Sequence, residues 1–351
     1  MTTRERSDGK ARRRVTLRDI AEAAGVHAST VSRALDPRTR HLINPAVAQT
    51  IIDISTRLNY RPNAAAYSLR TNRSRTIGVI LPDIENPIFP PMVRGIESAL
   101  LPRGFFALLG NTDGDLARER DLAKSFVSRG IDGLILAGVS RDDQIVAEIG
   151  PETTPIVTVN RRLDDKAVSS VVHMDDSGVL RTLTHLVSLG HRRIAVISGP
   201  QNTSTGTERH ESFLRHRATL GIGDEDPLVC FADAYTESEG ERCLEELIAR
   251  SVPFTAVMCA NDRLAIGAIV ALERRNIRCP QDVSVTGYND MPMVDRIHPA
   301  LTTIRIQQYQ MGVEAGRIAL EMIDGASEPR HVVLPVELVI RASTRAIPAR
   351  D

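Results

Sequence analysis

Two groups of residues in this 351-residue chain combine side-chain types and spacing suited to chemistry. The first lies near the N-terminus: Thr16, then His27, Ala28, Ser29, Thr30, Ser32 and Arg33 within one short stretch. Thr16, Thr30 and Ser32 carry hydroxyls that suit phosphate oxygens, and Arg33 is a long fork-shaped donor that matches O6 and N7 of guanine. The second group follows successive β-branched runs: Asp83 and Phe89, Asn111 and Asp113, Asn160 and Arg161, then Arg209, Tyr235, Asn261 with Asp262, and Asn289 with Asp290. Facing arginines and aspartates suit a hydroxyl-rich or acidic small molecule without selecting one. No catalytic set accompanies them. G-x-S-x-G, G-x-x-x-x-G-K-[ST] and H-E-x-x-H are absent, and Gly221 and Gly223 begin a G-x-G-x-x-G whose last glycine position holds Asp226. Cys230, Cys243, Cys259 and Cys279 have neither C-x-x-C spacing nor histidines at zinc intervals, so they read as reduced thiols. The expectation is a protein that is not an enzyme and needs no metal or cofactor. His191, beside Arg192 and Arg193, reads as a surface turn.

The elements that must hold the first group are short helices. Thr16 with Asp19 three residues on predicts a capped helix over 17–24, and Gly25 supplies a left-handed stop. A second helix follows over 28–35 with Val31 and Leu35 inward, leaving Ala28, Ser29, Thr30, Ser32 and Arg33 outward. A third opens at Asn44-Pro45 and carries Val47, Ile51, Ile54 and Leu58 on one face. Two short helices joined by a glycine turn form a helix-turn-helix, which lays its second helix in the major groove of DNA.

Charge supports that reading. Residues 1–75 hold 15 Lys and Arg against six Asp and Glu, a net of +9, so the remaining residues of this formally neutral chain carry −9. A basic head on an acidic body suits a polyanion partner and a separate task. Lysine occurs only at 10, 124 and 166, so the arginine preference belongs to the whole chain rather than to the head. No apolar run approaches the ~18 residues of a membrane span, and the polar stretch 1–14 has no apolar segment behind it, so a cytoplasmic, non-membrane protein is expected.

From residue 76 the pattern alternates strands (77–81, 105–109, 133–136, 156–159, 193–197, 256–259, 283–286) with helices such as 92–101, 115–128, 178–189, 237–249 and 262–274. Such βαβ alternation implies parallel sheets with ligands at the strands' carboxyl ends. About 275 residues is too long for one such sheet, so two lobes and a cleft are expected.

The strings VTLRDIAEAAGV at 15–26, STVSRAL at 29–35, LNYRPNAAA at 58–66, Ser68-Leu69 and TIGV at 76–79 closely resemble the LacI/GalR (lactose-repressor) family of bacterial transcriptional regulators. The resemblance implies an all-α helix-turn-helix head on an α/β two-lobed, periplasmic-binding-protein-like body. It divides the chain into a disordered basic tail at 1–14, a DNA-binding domain at 15–62, a hinge helix and linker at 63–75, and an effector-binding domain at 76–351. The N-lobe would take about 76–173 and 303–327, and the C-lobe about 174–302 and 328–351. The chain would cross between them near 173–176, 301–305 and 326–329. Asn63, Ala66, Leu69 and Arg70 would then belong to a hinge helix on the minor groove, with Leu69 as an apolar wedge. Phe89 and Tyr235 match aromatic ligand-stacking positions, and Arg209 and Asp262 match an Arg and Asp that hold a sugar or base. Asn111, Arg161 and Asp290 complete the expected site. The family usually has Ser where this chain has His27.

The implied protein is a homodimeric repressor on a double-stranded operator, controlled by a sugar-like effector in the cleft. The alternative signs are a corepressor such as a nucleobase, or activation at some promoters. No heptad pattern follows the last expected strand at 338–341, so a coiled-coil tetramer is not expected.

Overall fold

The computed structural model describes residues 15–36, 39–60, 73–150, 154–222 and 226–347. The chain forms two compact units, 1–72 and 73–351. Among the described residues no helix is long and apolar enough to cross a membrane. The tail 1–14 and the hinge residues Asn63, Ala66, Leu69 and Arg70 lie outside the described residues.

In the first unit, helices α1 (Leu17–Ala24), α2 (Ala28–Leu35) and α3 (Pro45–Arg57) match the sequence expectation. Their ends are set by local chemistry. The Asp19 carboxylate accepts the Thr16 N–H at 2.7 Å while the Thr16 hydroxyl accepts the Asp19 N–H at 3.4 Å. Gly25 takes φ 65°, which a side chain would resist. Asn44 caps α3 through the Ala46 N–H at 2.9 Å, with Pro45 in the first turn. Ile20, Val31, Ala34, Ala48 and Ile51 form the small core, at most 4% exposed.

The second unit has two lobes, each a parallel sheet wrapped by helices. The N-lobe sheet contains β1 (Thr76–Leu81), β2 (Phe106–Asn111), β3 (Gly133–Leu136), β4 (Ile156–Val159), β5 (Ser169–His173) and β11 (His331–Leu334), in the order β11-β5-β4-β3-β1-β2. The C-lobe sheet contains β6 (Ile194–Ser198), β7 (Val229–Phe231), β8 (Ala256–Cys259) and β9 (Ser284–Thr286), in the order β7-β6-β8-β9. Most of these strands are short apolar runs buried along their whole length, as strands covered on both faces require. A two-stranded antiparallel ribbon, β10 (Thr303–Arg305) with β12 (Glu337–Val339), adjoins them.

The chain leaves the N-lobe sheet at the end of β5 (His173) for the helix that opens at Asp175, and a second crossing follows β10. The third differs. Val332 pairs with Val171 in the N-lobe sheet, so the chain stays in the N-lobe past 326–329 and leaves it only after Leu334. The apolar run Val332-Val333-Leu334 is short, ends at Pro335 and has alternating exposure, so it did not reveal which sheet it joins.

Helices α4 (Phe89–Leu100), α5 (Leu116–Ser128), α6 (Ile145–Ile149) and α11 (Gln308–Ile323) cover the N-lobe sheet. Helices α7 (Asp175–Ser188), α8 (Ser204–Thr219), α9 (Glu237–Ala249) and α10 (Asp262–Arg274) cover the other. In each lobe two helices cross at backbone contact. A Cβ on Gly312 of α11 would lie 1.9 Å from the Met92 carbonyl of α4, and one on Gly267 of α10 lies as close to the Glu237 carbonyl of α9.

His191 is a correction. It is 2% exposed, with Nδ1 2.9 Å from the Thr255 hydroxyl and Nε2 3.1 Å from the Arg345 carbonyl oxygen. It ties the C-terminal segment to the C-lobe sheet rather than turning at the surface. Cys230, Cys243 and Cys259 are buried free thiols, and Cys279 is half-buried.

Candidate functional site

In the head, His27, Ser29 and Arg33 are exposed on and just before α2, while Thr30 and Ser32 are half-buried and Thr16 is exposed at the start of α1. Ala28 departs from expectation: it is half-buried and packs on the head core, so little of it faces outward. His27 is the N-cap. Its Nδ1 accepts the Ser29 N–H at 3.3 Å and lies 2.8 Å from the Ser29 hydroxyl, the capping task a serine would perform. The far end of α2 is also tied off, because Thr39 Oγ1 and Arg40 Nε donate to the carbonyls of Arg33 and Ala34. A short helix fixed at both ends holds the Arg33 backbone in place with its side chain free to reach. At its start the Ser29 N–H is bonded to the His27 ring and the Thr30 N–H to the His27 carbonyl, so what this end offers a phosphate is its exposed side chains.

The body holds a cavity of about 470 Å³ between the carboxyl ends of its two sheets. Of the expected residues, Phe89, Arg161, Arg209 and Tyr235 line it, and so do Asp83, Asp113, Asn160, Asn261 and Asn289. Phe89 is the first residue of α4 and 2% exposed, so it forms part of the floor. Tyr235, from the C-lobe, shares a hydrogen bond of 3.0 Å with the Thr205 hydroxyl, and the Arg161 guanidinium carbon from the N-lobe stands 5.6 Å from its ring centroid.

Arg209 on α8 is 5% exposed and fully engaged. Its Nε donates to Asp175 at 2.9 Å, a terminal nitrogen donates to the Ala260 carbonyl, and the guanidinium lies 3.7 Å over the Tyr288 ring. Burial pushes the Asp175 carboxyl up, but the charge and hydrogen bond of Arg209 together with those of His173 outweigh it and hold the group below the usual carboxylate range.

Three expected residues do not line the cavity. The Asn111 carboxamide accepts the Ile84 N–H at 2.8 Å and donates to Asp113, which shapes a loop instead. Asp262 is wholly buried behind the wall, its carboxylate accepting the Met291 N–H and the Thr303 hydroxyl, and burial raises it to about 7. Asp290 holds Arg305 and Arg341, both at 2.7 Å. In both pairs the cleft residue is the preceding asparagine. Asn261 also caps α10 through the Leu264 N–H, and Asn289 turns inward at φ 115°.

Several lining residues were not expected, among them Glu119, Thr112, Thr203, Thr205 and Asp233. Glu119 is 2% exposed, and burial followed by the nearby Asp143 charge raises its carboxyl to about 7. It stands four and seven residues before Ala123 and Phe126, both buried, so its place on the inner face of α5 was visible in the helical spacing. At the cavity mouth Arg263 of the C-lobe reaches Asp83 of the N-lobe at 2.8 Å while also holding Glu237.

Residues 16–63 match the family described as bacterial regulatory proteins, lacI family, and residues 183–344 match the periplasmic binding protein-like domain. The chain is 31% identical over 332 residues to the HTH-type transcriptional regulator RegA of Clostridium saccharobutylicum, covering 94% of this chain and 99% of that one. It is 30% identical over 341 residues to the HTH-type transcriptional repressor PurR of Haemophilus influenzae, covering 95% and 99%. Among solved structures it resembles a lac repressor dimer bound to operator and the anti-inducer ONPF (TM-score 0.84, 25% identity, 95% of this chain and all of that one). It also resembles the transcriptional regulator CelR with cellobiose (TM-score 0.71, 28% identity, 94% of this chain and all of that one).

Proposed function

The chain belongs to the lacI family of bacterial regulatory proteins, and from that footing we propose that it is a homodimeric, cytoplasmic repressor whose hold on an operator is set by a small molecule in the cleft. One observation carries the reading: the same chain presents an end-capped, outward-facing second helix in its head and a polar cavity between two lobes in its body. Neither half explains the other unless ligand occupancy and DNA affinity are linked.

A twofold operator needs a twofold protein, and the body offers apolar surface for one. Leu101 and Phe106 are 56% and 64% exposed on the N-lobe, and Ile340 is 60% exposed on the other lobe. Such side chains are covered when subunits pair. Arg33 would read a guanine, and Thr16, His27, Ser29, Thr30 and Ser32 would fix register on phosphates, with Ala28 near the groove floor. Leu69, with Asn63, Ala66 and Arg70 around it, would wedge the minor groove at the operator centre. An effector that alters the lobes of the paired bodies would then separate or join the two hinge segments, a coupling of ~1–3 kcal/mol.

The experiment is a selection of duplexes from a randomised pool by the full-length protein. A recovered site with two related half-sites supports the reading. Recovery of no sequence above general polyanion binding overturns it.

A further inference from the structure

Resting on the reading of the cleft as the effector site, we infer that the effector is a sugar acid, a polyol bearing one carboxylate, and that Arg161 takes that charge. Arg161 lies just past β4 and lines the cavity. One terminal nitrogen donates to the Gly138 carbonyl at 3.0 Å, and its buried Nε has no partner. Among the described residues no carboxylate oxygen lies within ion-pair distance of it.

Every other arginine near the cavity is balanced. Arg209 has Asp175, Arg120 has Asp143 and Glu148, Arg118 has Asp113, and Arg263 has Asp83 and Glu237. These pairs also occupy Asp83 and Asp113 at the rim. Two acids of the lining remain, Asp233, which is exposed on the C-lobe side, and Glu119 on the N-lobe wall. The Oε1 of Glu119 is buried without a partner, and with its carboxyl raised to about 7 it supplies only part of a counter-charge near neutrality.

A half-buried guanidinium with no counter-ion is costly, and a ligand that brings one removes that cost. A neutral sugar fills the space but leaves Arg161 as it is. A phosphate brings close to two charges and would set the second near Glu119 and Asp143. A single carboxylate matches Arg161, the one open cation among the described lining residues, while Asn160, Asn261, Asn289, Thr112 and Thr203 provide donors and acceptors for hydroxyls.

The test is calorimetric titration of the full-length protein at about pH 6.5 and physiological salt with matched probes: D-galactose and D-galacturonate, D-glucose and D-gluconate, and D-glucose 6-phosphate. At least one acid is expected to bind about tenfold or more tightly than its neutral parent, the scale of a charge-assisted pair. Equal or tighter binding of the neutral parents, or binding of the phosphate alone, overturns the inference and leaves the effector reading standing. Silence from all five probes overturns the sugar reading together with it. In Arg161→Gln, which keeps hydrogen bonding and removes the charge, the preference for the acid should vanish, while the neutral parent changes by less than about threefold. A retained preference overturns the assignment to Arg161. Should that variant fail to fold, the matched pairs on the unaltered protein remain decisive.

Discussion

The two walls of the cleft handle charge in opposite ways. The C-lobe wall has its cation paired before any ligand arrives: Arg209 is locked to Asp175, and behind the wall Asp290 is held between Arg305 and Arg341, while Asp233 is exposed at the cavity. The N-lobe wall leaves Arg161 unpaired and Glu119 with a buried oxygen that meets no donor. A charge that is already paired and sealed shapes a site, whereas one left open can respond to what enters it. The C-lobe therefore acts as a finished platform, and discrimination belongs to the N-lobe.

The largest expected effect tests the platform. Asp175→Ala leaves Arg209, 5% exposed, without its carboxylate in a dry setting. Loss of one partner of a buried pair costs about 3–5 kcal/mol, so thermal unfolding of the body should move down by many degrees. Arg161→Gln removes a cation that has no carboxylate partner and should cost far less. Similar losses in the two variants would break the comparison.

The next test uses pH. Glu119 in one lobe and Asp262 in the other are both raised to about 7 by burial. A carboxyl raised on folding binds its proton more tightly in the native state, so its contribution is full below the ordinary carboxylate range and is lost as pH rises through about 7. The shift corresponds to about 3 kcal/mol for Glu119 and about 4 kcal/mol for Asp262 over that span. Stability of the body should fall between pH 5 and pH 8, and denaturant titrations across that range measure it. Glu119→Gln should flatten the slope in part. An unchanged slope in that variant would remove Glu119 from the balance.

How much of this was legible beforehand follows from how local each signal is. The head was readable almost to the residue because its helix ends are written in adjacent side chains: Thr16 with Asp19, Gly25, and Asn44 with Pro45. In the body, α9 and α10 showed apolar stripes and were found at their true ends. By contrast, α8 hides its inner face, where Ser204, Thr205, Gly206, Arg209 and Ser212 are buried alongside Phe213 and leave no stripe. The site was legible in part: Phe89, Arg161, Arg209 and Tyr235 line the cavity, whereas Glu119, Thr203 and Thr205 were not expected. Asn261-Asp262 and Asn289-Asp290 were each visible as a polar pair after a strand. Which member faces the cleft depends on backbone turns, such as φ 115° at Asn289, that composition does not record. The pairing of β11 with β5 was beyond reach for a related reason: it joins residues about 160 apart through a four-residue edge strand.

A finer test separates the two raised carboxyls. Glu119 lines the cavity, whereas Asp262 is sealed behind it. The groups around Glu119 are Asp143 from the loop before α6, Arg120 on its own helix and Arg161 after β4. An anion seated on Arg161 adds negative charge to that set and withdraws part of the arginine's help, so Glu119 should take up a fraction of a proton on binding near pH 7. Calorimetry in buffers of different ionisation enthalpy reads that uptake directly. It should be lost in Glu119→Gln and kept in Asp262→Asn. Loss in the second variant would mean that the sealed wall also responds to the ligand.

The smallest expected effect concerns the join between the walls. Asp83 and Arg263 meet across the mouth at 2.8 Å, with 36% and 16% of their side chains exposed, and Glu237 holds the other side of the same guanidinium. An ion pair open to water contributes about 0.2–1 kcal/mol, so Asp83→Asn should weaken ligand binding by no more than about fivefold. The loss should appear chiefly in faster dissociation, because a latch formed after encounter leaves the approach unaltered. Raising the salt concentration should shrink the difference between variant and parent, since this pair lies at the rim, while preference for the acid persists because Arg161 lies within. Stopped-flow measurement of both rates decides it: a change confined to association would place Asp83 in the steering field of the mouth and remove the latch from the comparison.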